Sequence, residues 1–186
     1  VKRGGSSNDV LGEKPQLAVQ TRNGQEILHA YMRFPLLKLI DASPRNQNAP
    51  QYRGGNQNGK RKMAEVKSAK LSLTFTSGQR PQGGTLRLYG LDSPVSDVWP
   101  ENRIVWSNSL SEKGVDTLPV LAEVKIGEGG KTFVFDAPEL ATFVSNCQQR
   151  SVTLILTGEA GDRPIVFAAK EDKQSEPPKL VLQVAD

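Results

Sequence analysis

The chain has 186 residues, 37% of them hydrophobic, enough for one sandwich-sized core but not for several independent domains. A single cysteine rules out an intrachain disulfide, and no apolar run reaches the length of a transmembrane helix. The formal charge of +4 hides an asymmetry: residues 1–103 hold 16 Lys+Arg against 8 Asp+Glu, whereas residues 104–186 hold 8 against 12. Such a basic front half favours an anionic partner, and nucleic acid, anionic lipid and acidic polysaccharide fit that statement equally well.

The chain opens on Val1-Lys2-Arg3-Gly4-Gly5-Ser6, without an initiator Met or a visible signal peptide. It reads as a mature or excised module of something longer. Strands are expected at 17–22 and 27–36, the second placing Tyr31 and Arg33 on one side and Met32 and Phe34 on the other. The stretch 41–65 contains Arg45, Arg53, Lys60, Arg61, Lys62 and Tyr52 but almost nothing able to enter a core. It is expected to be a long polar insertion loop, either simply solvated or a basic flap over a binding face.

Alternation at a period of two resumes with Leu71, Leu73 and Phe75 against Lys70, Ser72, Thr74 and Thr76. Leu86 and Leu88 then alternate with Arg87 and Tyr89. Trp99 and Trp106 follow in a loop, where an indole either plugs the edge of a core or stacks on a ligand ring. Further strands are expected at 120–126, 133–135, 152–157, 165–170 and 179–184. One segment keeps helical spacing instead: Leu140, Phe143, Val144 and Cys147 form an apolar stripe, with Pro138 and Glu139 suited to its first turn. That helix is expected to close one end of the fold and to bury Cys147 as an inert thiol. Nine or so short strands between turns predict an all-β fold, a two-sheet antiparallel β-sandwich of jelly-roll type. It carries one short helix and the 41–65 insertion, and residues 1–186 form a single module.

Catalysis is not expected. The chain's one histidine, His29, sits beside an apolar strand without an evident nucleophile or metal partner. No GxSxG elbow, P-loop or CxxC pair is present, and nothing couples any two of Asp97, Glu101, Asp136 and Glu171 into an acid–base pair. Arg3-Gly4-Gly5 and Arg53-Gly54-Gly55 lack the interleaved aromatics of nucleic-acid tracts, so neither nucleic acid nor membrane is an expected partner. No cofactor is expected. Sandwich loops admit a structural calcium, although no acidic cluster here has loop-like ligand spacing.

Several motifs in fixed order resemble the DNRLRE domain family, β-sandwich modules of secreted and cell-surface proteins. They are Val1 to Ser6 with Gly12 and Leu17-Ala18-Val19, Tyr31 to Phe34, Ala69 to Leu73 with Leu86 to Tyr89, and Val98 to Asn108. Phe135-Asp136, Phe167 to Glu171 and Pro178 to Val181 complete the series, which spans essentially the whole chain. Lys170 and Ala169 stand where the family carries arginine and serine. The resemblance implies a non-catalytic carbohydrate-binding module for an acidic polysaccharide such as alginate, either a uronic-acid or a sulfated polymer. It also implies secretion or surface display, with a catalytic domain on the same parent polypeptide.

A glycan carboxylate or sulfate wants Lys and Arg, and Arg can bind it bidentately. The candidate ligand-binding residues are Lys2, Arg3, Arg22, Tyr31, Arg33, Arg87, Tyr89, Trp99, Lys170 and Glu171. Arg33 with Tyr31, and Arg87 with Tyr89, would form a cationic platform if their faces coincide, with Glu171 orienting Lys170 or Arg33. Against that stands a buried structural salt-bridge network of Arg33, Lys170 and Glu171. A structural spacer or cell-surface adhesion domain is the competing function.

Overall fold

β-branched and aromatic residues alternating with polar ones form pleated, half-buried strands, and a computed structural model of the chain has ten of them among its described residues. The structure describes residues 2, 14–36, 65–76, 83–92, 114–127, 130–147, 149, 151–159 and 163–185. The strands are β1 (Gln16–Arg22), β2 (Gln25–Leu28), β3 (Ala30–Pro35), β4 (Val66–Thr74), β5 (Thr85–Leu91) and β6 (Val120–Lys125). After them come β7 (Thr132–Asp136), helix α1 (Pro138–Asn146), β8 (Ser151–Glu159), β9 (Ile165–Ala168) and β10 (Lys179–Val184). All pairings are antiparallel. Of the expected 41–65 loop, all but Glu65 lies outside the described residues.

The strands form three hydrogen-bonded sheets rather than two: β2-β1-β9, β10-β4-β7 and β3-β8-β5-β6. Two of these nevertheless make one layer. The Phe75 N–H donates to Lys131 on the β7 side of β4, and the Thr76 N–H, pointing the opposite way, donates to Val166. β9 therefore continues on the side of β4 that β10 occupies farther along, and a Phe75–Phe167 bridge joins the sheets. The layer so built faces the four-stranded sheet across one core. Its centre is Val19, Leu71, Leu73, Leu86, Leu88, Phe133, Phe135, Leu154, Leu156 and Phe167, each no more than 2% exposed. Phe75, Phe133 and Phe167 pack edge to face, with centroids 5.8–6.5 Å apart.

Local chemistry places the connections. Asn23 and Gly24, at φ 51 and 71, form the two-residue loop whose positive dihedrals match strand twist, closing the β1–β2 hairpin. The expected strand 27–36 is two strands, because the chain changes layers at His29: β2 pairs with β1, and β3 pairs with β8. Helix α1 rests on β4 of one layer and β6 of the other, closing an end of the sandwich. The Cys147 thiol is buried and donates to the Ser151 carbonyl at 3.5 Å.

Candidate functional site

Strand register brings the expected platform residues to one sheet face. Tyr31 and Tyr89 both pair with Ile155 and so flank it on the outer face of the four-stranded sheet. Arg33 and Arg87 occupy neighbouring rows, opposite Thr153 and Thr157. That face is not an open platform. Tyr89 is 4% exposed and packs with Val115 and Ile155 in a small second cluster, joined by Tyr31, Leu91 and Leu118. Val115 comes from a 3-10 turn (Val115–Thr117), preceded by Gly114 at φ 90. The Tyr89 ring thus serves as packing and does not present itself to a ligand. Tyr31 is half-buried.

Arg87 is also committed. Its Nε lies 3.4 Å from Glu123 Oε2 and its Nη1 3.2 Å from Glu159 Oε1. Burial opposes the guanidinium charge, but these hydrogen bonds and carboxylate charges outweigh it and hold Arg87 above its ordinary pKa. Burial likewise pushes the Tyr89 phenol up, assisted by the negative charges of Glu26 and Asp116. A hydrogen bond with Thr157 works weakly in the other direction.

The remaining candidates separate into two places. Lys170 and Glu171 lie in the turn after β9, where the Ala169 N–H donates to Pro15 just before β1. Their charges are 3.6 Å apart, with the Lys170 side chain 62% exposed, and Arg33 is exposed as well. A buried network of Arg33, Lys170 and Glu171 is therefore excluded. Arg22 sits at the opposite end of β1, exposed and paired across the hairpin with Gln25. Lys2 is exposed and bridges to Leu28 on β2. Arg22, Lys2, Tyr31 and Arg33 thus follow the continuous β2–β3 run from the hairpin across the layer change. Arg3 and Trp99 lie outside the described residues, as does Trp106.

His29 occupies the corner of that run and is 1% exposed. Its Nε2 is 2.9 Å from Glu26 Oε2. Among the described residues no group of three or more His, Cys, Asp or Glu is placed to hold a metal ion, and no helix is long and apolar enough to cross a membrane.

Sequence reasoning assigned no role to a different exposed surface, the outer face of β10-β4-β7. There Lys70 Nζ lies 2.6 Å from Asp136 Oδ2, and the Ser68 hydroxyl donates to Gln183 Oε1 at 2.8 Å. Its signal was already present in the polar positions of the β4 and β10 alternation. No family model and no curated protein matches this chain.

Proposed function

We propose that this chain is a non-catalytic carbohydrate-binding module that holds an anionic polysaccharide along its β2–β3 edge. One observation carries the reading: Arg22, Lys2 and Arg33 are exposed in sequence along that run, with Tyr31 between the last two. Arg87, Lys70 and Lys170 already face carboxylates. The ordered resemblance to DNRLRE domains supports the same ligand class and a place on a secreted or surface protein beside a catalytic domain. The burial of His29 against Glu26 supports a non-catalytic role, because its imidazole is closed to a substrate.

Affinity electrophoresis through gels containing alginate or a neutral glucan, at low and high salt, tests the proposal. Retardation by alginate alone, fading as salt rises, is the expected outcome, because exposed ionic contacts are screened. Replacing Lys2, Arg22 and Arg33 together by Ala should weaken binding about tenfold, since each exposed ion pair contributes roughly 0.2–1 kcal/mol. Unchanged retardation in a folded triple variant would favour the structural spacer, a reading supported by the cations that carboxylates already neutralise.

A further inference from the structure

The two broad outer sheet faces differ. On the four-stranded sheet Thr153, Ile155 and Thr157 are at most 4% exposed, so the middle of that face along β8 is covered. On β10-β4-β7 the outward rows are Lys179–Ser72–Val134 and Val181–Lys70–Asp136, with Thr74 beside Thr132 and Gln183 beside Ser68. Val134 and Val181 are 46% and 45% exposed, and Lys70 and Asp136 are about half exposed. This face is an array of hydroxyls and lysines with two aliphatic patches placed diagonally across β4.

Its size and charge limit what it can hold. Three strands about 4.8 Å apart and about 20 Å long give a plan area of roughly 300 Å². A stable protein partner needs about 800 Å² from each side. A single extended polymer chain needs far less. Lys70 faces Asp136, and Lys179 is an exposed cation at the start of β10, in the row of Ser72 and Val134. Sparse lysines among hydroxyls suit a polyol with widely spaced carboxylates and disfavour a densely sulfated one.

We propose that the outer face of β10-β4-β7 is a second contact surface for a uronate polysaccharide, whose sugar faces lie on Val134 and Val181. Lys179 takes a carboxylate, and Ser72, Thr74 and Thr132 meet the hydroxyls. This rests on the reading of the chain as a polysaccharide-binding module and adds a second point of attachment on the same polymer, which multiplies affinity without new chemistry at the first.

The experiment compares the full chain with Val134→Asp/Val181→Asp, Val134→Thr/Val181→Thr and Lys179→Gln, using alginate and dextran sulfate in affinity electrophoresis. Circular dichroism and sedimentation equilibrium are run on each protein. The Asp pair should weaken alginate binding at least tenfold, and more than dextran sulfate binding. The Thr pair, which keeps the branched shape and removes apolar surface, should weaken it severalfold with the fold intact. Wild-type affinity in both Val pairs overturns this inference alone, provided Lys2/Arg22/Arg33→Ala still reduces binding. A wild-type chain that binds neither acidic polymer overturns both proposals. A dimer that the Asp pair dissociates would assign the face to a second copy of this chain and overturn the glycan assignment.

Discussion

Gly158 and Gly90 are glycines because the core leaves no room for a methyl group. A Cβ on Gly158 would lie 2.7 Å from Val19 Cγ2 and 2.9 Å from Leu86 Cδ2, and one on Gly90 would lie 2.5 Å from the Phe143 ring. Gly158→Ala should therefore destabilise the protein by about 1–3 kcal/mol, read as a lower urea midpoint with an unchanged slope. Gly90→Ala should cost less, since Phe143 is only partly buried and can swing outward. Tyr89 adds a pH dependence. Its phenol is raised, so the neutral ring is the form the fold prefers. The stability this contributes is complete below the ordinary tyrosine value of about 10 and is lost as pH rises through the elevated one. Tyr89→Phe should flatten alkaline unfolding above pH about 10, at a cost near neutrality of about 0.5–1.5 kcal/mol for the hydrogen bond with Thr157. An alkaline limb as steep as that of the wild type would count against this account.

At the scale of elements, the β1–β2 hairpin depends on its loop. Gly24 at φ 71 faces open space, so Gly24→Ala costs backbone strain alone, about 1 kcal/mol in thermal or chemical unfolding. Leu140→Ala on α1 removes a fully buried side chain and should cost about 2–5 kcal/mol. Such elements were legible in the sequence because each carries a local signal: the two-residue alternation of β4 and β10, and the Leu140, Phe143, Val144, Cys147 stripe of α1. The break between β2 and β3 was not legible. His29 leaves no mark in the hydrophobic pattern, and only the change of pairing partner from β1 to β8 reveals the break. The site was half legible for the same kind of reason. Alternation put Arg33 with Tyr31 and Arg87 with Tyr89, but only the pairing of both strands with β8 makes the two faces one, and alternation says nothing about whether that face is covered. Val115 lies far from Tyr89 in sequence, and Glu123 and Glu159 reach Arg87 from separate strands.

For the whole molecule, both layers bury their inner faces in one core, with Leu86, Leu88, Leu154 and Leu156 meeting Leu71, Leu73, Phe133 and Phe167, so near- and far-ultraviolet circular dichroism should report a single coincident unfolding transition. The charge asymmetry between halves of the chain is partly cancelled in the fold: the basic front half supplies the β2–β3 edge, while the acidic rear half supplies the carboxylates that face Lys70 and Arg87. β8 is held more completely than any other strand described, paired by β3 on one side and β5 on the other, with every residue from Ser151 to Gly158 buried. Its amides should therefore be among the last to exchange with deuterium, at rates set by global opening. The same run, Val152-Thr153-Leu154-Ile155-Leu156-Thr157, has no charge and no proline and favours extended pairing, the composition of an amyloid-forming segment. Folding hides it on all sides, so heating past the midpoint should leave turbid, concentration-dependent aggregates instead of a reversible melt, and a charge introduced at Thr153 or Thr157 would trade native stability for recovery on cooling.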